Sequence, residues 1–243
     1  MQPTVFIADL HLDERRPQIV QLFMQFLQET AGRVDALYIL GDLFEAWIGD
    51  DAASADHPVL TALARFSATG TPLYVMRGNR DFLLGNQFAE TTGATLLDDP
   101  TTITLGGEPV LLSHGDLMCT DDQEYQQFRA MVNDPEWQRG FLARSVDERI
   151  ALAKQARDES SARNSMLADT SDSIMDVNAN AVADMMRQHG VRRLIHGHTH
   201  RPDTHAFDLD GQPATRIVLG DWFEQGSALW FEGGEYRLES LPV

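Results

Sequence analysis

Five short apolar segments of this chain each end in residues that commonly bind metal ions. The segments lead into Asp9-Leu10-His11, Gly41-Asp42, Gly78-Asn79, His114-Gly115-Asp116 and Gly197-His198-Thr199-His200. Short apolar runs that are bounded by glycine or polar residues are typical of buried β-strands. In open α/β sheets, ligand sites gather beyond the carboxyl ends of the strands. The pattern therefore predicts a sheet-based fold in which these polar side chains meet at one edge.

The residue types at these ends predict a centre of two metal ions. Side chains two apart in an extended segment point the same way, so Asp9 and His11 can face one ion, and so can His198 and His200. The seven candidate ligands are Asp9, His11, Asp42, Asn79, His114, His198 and His200. Seven donors exceed the needs of one tetrahedral zinc ion but suit two ions that share a carboxylate, and Asp42 is the expected bridge. Imidazole, carboxylate and amide donors without a thiolate favour Mn²⁺, with Fe or Zn as alternatives.

Each of these motifs alone has a simpler explanation. A single D-x-H at the end of a strand is more often a turn or a helix cap than a pair of ligands. Five such blocks in one chain make coincidence a poor explanation. The other histidines, His57, His189, His196 and His205, are predicted to be structural or solvated, and His196 to lie in the core or behind the ligands.

The hydrophobic pattern predicts an α/β fold in layers, with sheet inside and helices outside. Apolar runs at Thr4–Ala8, Ala36–Leu40 and Leu73–Met76 alternate with helical spacing at Ile19–Leu27 and Val59–Phe66. After residue 101 the chain reads mainly as strands that pair in an antiparallel manner. This pattern predicts an alternating β-α-β-α beginning and a second half rich in antiparallel strands.

Residues 121–169 break this rhythm and predict a helical insertion in a main domain of residues 1–120 and 170–243. Tyr125, Phe128, Met131 and Val132 recur at helical intervals, and few residues favour strands. The segment also carries six cations against four acids between residues 139 and 163, in an otherwise acidic chain. That balance suits anionic lipid headgroups, while a solvated helix of mixed charge is the alternative.

Composition limits the partners of the protein. The formal net charge of -18 argues against binding to nucleic acid. Cys119 is the one cysteine, so an internal disulfide is excluded, and no apolar run is long enough to span a bilayer. The beginning of the chain lacks the charged segment of a secretory signal. We therefore expect a protein of the reducing cytoplasm.

The ordered set D-x-H, G-D, G-N, H-G and G-H-x-H resembles that of the calcineurin-like metallophosphoesterases. Longer strings resemble one group of that family more closely, the bacterial UDP-2,3-diacylglucosamine diphosphatases of lipid A synthesis. They are FIADLHL, ALYILGDLFEAWIGDD, GNRDFLLG, HGDLMCTDD, IMDVN and LIHGHTHRP. The resemblance implies a sandwich of two sheets flanked by helices, with two metal ions at the strand ends. It also implies hydrolysis of a UDP-diacylglucosamine to UMP and diacylglucosamine 1-phosphate, peripherally on the cytoplasmic face of the inner membrane.

The same resemblance implies roles for individual residues. The implied catalytic residues are Asp42, Asn79, Arg80 and His114, and the implied substrate contacts are Asn79, Arg80, Asp122, Ser160, Asn164 and His198. The family often has a lysine shortly after the position of Asn164, and this chain has none there. For Ser160 and Asn164, polar residues on a helix surface are the alternative. The insertion would be either a lid over the acyl chains or a helical segment packed on the main domain.

Arg80 stands where many members of the broader family have a histidine. A guanidinium cannot act as a general acid at neutral pH, but it can neutralise phosphate charge through paired donors. A leaving group that needs no proton is therefore expected, as in cleavage of a diphosphate. The alternatives are another dinuclear metallophosphoesterase that acts on nucleotides or phosphodiesters, and a scaffold that has lost its metals. The oligomeric state stays open, with a monomer favoured.

Overall fold

Strands and helices alternate through the first 97 residues, as the hydrophobic pattern predicts. The computed structural model describes residues 2–54, 56–167 and 176–243, with only the backbone between 158 and 167. The first elements are β1 (Thr4–Ile7), α1 (Pro17–Thr30), β2 (Ala36–Leu40), α2 (Pro58–Ser67), β3 (Leu73–Met76), α3 (Asn86–Thr92) and β4 (Thr95–Leu97). Pro17 and Pro58 begin α1 and α2 because the fixed φ of proline suits the first helical position.

The rest of the chain adds seven strands and four helices to the described fold. A hairpin of β5 (Thr101–Leu105) and β6 (Glu108–Ser113) is followed by α4 (Gln123–Val132), α5 (Pro135–Leu142), α6 (Val146–Leu167) and α7 (Ala179–His189). The last strands are β7 (Arg193–His196), β8 (Asp203–Leu209), β9 (Gln212–Val218), β10 (Gly226–Glu232) and β11 (Glu235–Leu241). Asp134 and Asn178 cap α5 and α7 with side-chain oxygens that accept main-chain N–H groups of the first turn.

The strands form two sheets, in the orders β11-β10-β1-β2-β3-β4 and β5-β6-β7-β9-β8. Strands β1 to β4 are parallel, so their carboxyl ends lie at one edge. The second sheet is antiparallel only in part, because β6 pairs with β7 and β7 with β9 in parallel. Helices α4 to α7 lie between β6 and β7 and supply the long crossover that parallel pairing requires. Both sheets therefore direct the carboxyl ends of parallel strands towards loops that carry the predicted ligands.

The fold has four layers: helices, the first sheet, the second sheet and helix α7. Successive side chains along a strand face opposite sides, so each sheet packs on both of its faces. In β1, Val5 and Ile7 pack with α1 and α2, while Phe6 faces the second sheet. In β6, Leu112 faces the first sheet and Leu111 packs against α7. Strands buried on both faces read as continuous apolar runs, and this is why the sequence shows no polar alternation there. The predicted sandwich of two sheets flanked by helices is confirmed.

Helices α5 and α6 pack on the loop that follows β2. Phe141 is buried against the core of the first sheet, and Trp137 stacks on it with ring centroids 5.1 Å apart. Arg149 is buried and pairs with Asp51. Phe128 and Met131 of α4, by contrast, are exposed over about two fifths of their surface, 40% and 45%. None of the described helices combines the length and hydrophobicity needed to cross a membrane.

Candidate active site

All seven predicted ligands follow strands that end at the same side of the sandwich. Asp9 and His11 follow β1, Asp42 follows β2 and Asn79 follows β3, while His114 follows β6 and the pair His198 and His200 follows β7. The first sheet therefore supplies four donors and the second sheet supplies three. Asp9, His11, Asp42 and His114 are buried, whereas His200 is partly exposed. The site lies across the seam between the two sheets.

The donor atoms converge in two overlapping groups. Ligand atoms of Asp9, His11 and His200 lie within 4.8 Å of one another, and so do those of Asp9, Asp42 and His114. Asn79 Oδ1 joins the second group, since it lies 3.0 Å from His114 Nε2 and 3.0 Å from His198 Nδ1. The structure thus brings together every donor that the sequence singled out.

The two oxygens of Asp42 face different histidines. Oδ2 lies 3.7 Å from Nε2 of His11, and Oδ1 lies 3.8 Å from Nε2 of His114. This orientation is the one that a bridging carboxylate requires. Asp9 belongs to both groups. Its Oδ1 lies 3.5 Å from Nε2 of His200, and its Oδ2 accepts the main-chain N–H of His198 at 2.8 Å.

The backbone at the donors is strained. Among the described residues other than glycine, positive φ occurs at Asp9, His11, Asp42, His198, His200 and Asp210, with values between 47° and 70°. Five of these six are predicted ligands. Left-handed backbone costs a residue with a Cβ about 1–2 kcal/mol, and such strain persists where the surrounding structure holds it for a function. The strained backbone turns each strand end sharply enough to direct the side chain into the cluster.

Two glycines are required by the close approach of the carboxylates. A Cβ at Gly78 would overlap the carboxylate of Asp42, and one at Gly197 would overlap the carboxylate of Asp9. Neither glycine has positive φ, so close contact rather than a special turn explains them.

The electrostatics of the site favour cations. Asp9 is fully buried, and its Oδ1 has no hydrogen-bond partner among the described residues. Burial opposes its charge, but His200 and the other nearby histidines lower the pKa of Asp9 to about 2. Burial likewise opposes charge on His114, yet Asp42, Asp116 and Asp9 raise the pKa of His114 to about 10. Buried carboxylates of this kind need positive charge, and the donors present fit divalent ions.

Sequence reasoning missed Asp81, which holds the Asp42 loop in place. Asp81 is fully buried and accepts main-chain N–H groups of Gly78 at 2.7 Å and Leu43 at 2.8 Å, with longer bonds from the N–H groups of Asp42 and Phe44. Burial and the nearby charge of Asp42 raise the pKa of Asp81 to about 6. Its place directly after Arg80 in the GNRD string was the available signal. Asp81 ties the ends of β2 and β3 together, so the ligands on both loops keep a fixed spacing.

Two of the residues predicted to bind substrate border an apolar groove beside the donors. Asn79 and Arg80 line this groove of 340 Å³ together with Trp47, Phe82 and Phe128. The main-chain N–H of Arg80 donates to Oδ1 of Asp42 at 2.8 Å, so the residue is anchored to the donor cluster. A second apolar cavity of 540 Å³ lies among α4, α5 and α6 and shares Phe128 with the groove. The structure therefore joins polar donors to a large apolar space.

The resemblance also implies substrate contacts at Asp122, Ser160 and Asn164. Asp122 is the N-cap of α4, where its side chain accepts the main-chain N–H of Tyr125 at 2.9 Å. Ser160 and Asn164 fall on α6, but their side chains lie outside the described residues. His196 is fully buried, and its Nδ1 lies 2.8 Å from the carbonyl of Gly197, as expected for a residue behind the ligands.

Comparisons with known proteins agree with this geometry. The family model of the calcineurin-like phosphoesterases matches residues 2–202. UDP-2,3-diacylglucosamine hydrolase of Stenotrophomonas maltophilia is 51% identical over 98% of both chains, and that of Aeromonas hydrophila is 52% identical over 97% of both. The enzyme of this name from Chromohalobacter salexigens is 55% identical over 90% of this chain and 88% of its own. With the sandwich, the strand-end donors and these matches in agreement, the chain belongs to the calcineurin-like phosphoesterase family.

Proposed function

We propose that this chain hydrolyses UDP-2,3-diacylglucosamine in the presence of two Mn²⁺ ions. Water would attack the α-phosphorus, and the products would be UMP and 2,3-diacylglucosamine 1-phosphate. Relatives that carry this activity in their names, at 51–55% identity, support the proposal. One structural observation carries it: the donor cluster opens onto an apolar groove with Asn79 and Arg80 at the shared border. A substrate with a diphosphate next to acyl chains matches that combination.

The ions would be held by the seven converging donors, with Asp42 as the bridge. One ion would be held by Asp9, His11, His200 and Asp42, and the other by Asp42, Asn79, His114 and His198. Bound divalent ions supply Lewis acidity to phosphoryl oxygens and lower the pKa of water. Hard carboxylate and amide oxygens beside imidazoles favour Mn²⁺ over a zinc ion in a site of this donor number.

Arg80 would neutralise the diphosphate. Its main chain is fixed to Asp42 at 2.8 Å, which holds the start of the side chain beside the donors. The guanidinium remains protonated at neutral pH and offers paired donors to phosphate oxygens. The leaving group is a sugar 1-phosphate, which is stable as an anion and needs no proton. The absence of a general acid at this position is therefore compatible with rapid cleavage.

Helices α4 to α6 would form a lid over the acyl chains. The groove beside Arg80 and the cavity among these helices meet at Phe128, and Phe141 lines both spaces. Burial of the substrate chains there would contribute about 0.8 kcal/mol for each methylene. The two interpretations of the insertion, a lid or a segment packed on the main domain, are thus compatible, because Phe141 packs on the main domain and also lines the groove.

The same helices would meet the anionic surface of the cytoplasmic membrane leaflet. Exposed apolar residues Met131, Leu142 and Ile150 accompany the exposed cations Arg139 and Lys154. Among the cations whose side chains are described, Arg139 pairs with Glu136 within its own helix, and two others are bound to the main domain. Arg149 pairs with Asp51 and Arg157 pairs with Glu45, because α6 docks on the β2 loop. The electrostatic part of the attraction is therefore smaller than the sequence count indicates.

The proposal is tested by measuring kcat/KM on UDP-2,3-diacylglucosamine, bis-p-nitrophenyl phosphate and cyclic nucleotides, with and without Mn²⁺. Asp42→Ala should remove activity and lower bound metal from two ions towards one or none, since the bridge holds both. Asp35→Ala is a matched control, because Asp35 is exposed at the opposite end of β2. Preference for the diesters or nucleotides would favour the alternative phosphodiesterase function. Full turnover and two bound ions in Asp42→Ala would end the dinuclear interpretation.

A further inference from the structure

Helix α6 is attached to the loop after β2 by two arginines. Arg149 Nη1 donates to the carbonyl of Ile48 at 2.7 Å and to Oδ1 of Asp51 at 2.8 Å. Arg157 Nη2 donates to the carbonyl of Glu45 at 2.6 Å. The two arginines are separated by about two helical turns, or about 12 Å along the axis. The loop between Asp42 and Asp51 is therefore the platform on which this helix lies.

Glu45 lies between this helix and a candidate metal ligand. Its Oε1 is 3.3 Å from Nη1 of Arg157, and its Oε2 is 3.1 Å from Nδ1 of His11. The Nδ1 atom is buried, and no described residue makes a well-aligned hydrogen bond to it. The Glu45 carboxylate nevertheless lies at hydrogen-bonding distance from this nitrogen. The opposite ring nitrogen, Nε2, faces Asp42 and His200 at 3.7 Å and 3.3 Å.

We propose that Glu45 is a positioning residue that orients His11 for metal binding and couples it to helix α6. A carboxylate that accepts the Nδ1–H of a histidine fixes the tautomer in which Nε2 carries the lone pair. It also fixes the plane of the ring and raises the basicity of the ligand. The inference rests on the proposed function, because it requires that Nε2 of His11 binds an ion.

Arg157 gives this arrangement its second consequence. The guanidinium holds both the carbonyl and the carboxylate of Glu45, so the position of α6 determines where that carboxylate lies. Because one guanidinium contacts both groups of the same residue, the contact fixes the direction of the Glu45 side chain as well as its distance. Metal occupancy at His11 and the docking of α6 are then linked, and the linkage acts equally in both directions.

The test is titration of the metal-stripped full-length protein with Mn²⁺ by calorimetry. In Glu45→Gln, which keeps the shape of the side chain, affinity for the ion bound by His11 should fall by roughly 10- to 100-fold, with the other ion less affected. Glu45→Asp keeps the charge but withdraws it from Nδ1, so it should show an intermediate loss. Glu90→Gln is the matched control, since Glu90 is an exposed glutamate on α3. Circular dichroism checks that each variant is folded.

Hydrogen exchange tests the coupling separately. Adding Mn²⁺ to the wild type should slow amide exchange in residues 146–157, and this protection should be lost in Glu45→Gln. Wild-type Mn²⁺ affinity in both Glu45 variants overturns the role of Glu45. Equal protection of α6 in the wild type and Glu45→Gln overturns the coupling. A wild-type protein that binds no ion would instead refute the proposed function itself, so the two failures are distinguishable.

Discussion

Replacing Gly78 by alanine should displace the Asp42 carboxylate without removing any ligand. The backbone of Gly78 does not have positive φ, so alanine is compatible with its conformation. A Cβ at this position would lie 2.8 Å from Cγ of Asp42 and would overlap its Oδ1 and main-chain nitrogen. The substitution therefore acts on the predicted bridge through contact alone.

The size of the effect follows from the distances. Carbon atoms in contact normally stay about 3.5–4.0 Å apart, so the carboxylate must move by about 1 Å. Metal ligands keep their distances within about 0.2 Å, which is much less than this displacement. Because the two oxygens of Asp42 face His11 and His114, both ions should bind more weakly. We expect kcat/KM to fall at least about 100-fold and the free energy of unfolding to fall by about 1–3 kcal/mol.

The assay compares kcat/KM on UDP-2,3-diacylglucosamine, bound Mn²⁺ per protein and thermal unfolding in the two proteins. Gly140→Ala is the matched control, because Gly140 lies in α5 and a Cβ there would meet nothing within 4 Å. That variant should keep both bound ions and gain up to about 1 kcal/mol in the free energy of unfolding. If Gly78→Ala binds two ions with wild-type affinity and retains wild-type kcat/KM, the reasoning from close contact is refuted.

Two further predictions concern the stability of the fold. Burial lowers the pKa of His196 to about 3. The neutral form of this histidine contributes its full stability above pH 6.5, which is about the pKa of histidine in the unfolded chain. As the pH falls below that value the contribution is lost, and the free energy of unfolding decreases by about 2 kcal/mol at pH 5. In His196→Gln, denaturant unfolding in the presence of chelator should therefore depend less on pH between 7 and 5, and an unchanged slope would contradict this. Arg149→Met should lower the free energy of unfolding by about 1–3 kcal/mol, since the hydrogen bond to Ile48 is lost. A thermal unfolding midpoint equal to that of the wild type would show that this anchor contributes nothing.

The donors were predictable because each is a local feature of a strand end. Asp42 and His114 follow apolar runs whose burial is encoded in consecutive residues, and parallel pairing brings such ends to one edge. The sandwich of two sheets was predictable from the family resemblance, whereas the parallel pairing of β6 with β7 was not evident from the apolar alternation of the strands. That pairing depends on the long crossover through the helices.

The contacts around the donors could not be predicted in this way. Glu45 and Arg157 are 112 residues apart, and their pairing leaves no periodic signal in either segment. The cations of α6 were counted as partners for lipid headgroups, but Arg149 and Arg157 turn towards the β2 loop instead. The role of Asp81 could not be predicted either, because its partners are main-chain N–H groups, which are present in every sequence. The local sequence predicts the donors, whereas the tertiary structure specifies the contacts around them.

Because the donors are divided between two sheets, the chain could be expressed as two fragments that each carry part of the site. A cut in the segment between β4 and β5 gives one fragment with Asp9, His11, Asp42 and Asn79 and another with His114, His198 and His200. Neither fragment holds all seven predicted ligands, and β10 of the second must also pair with β1 of the first. Divalent metal would then act as a crosslink between separately expressed halves. Their reassembly in the cell would depend on the metal supply, and recovered hydrolase activity would report it.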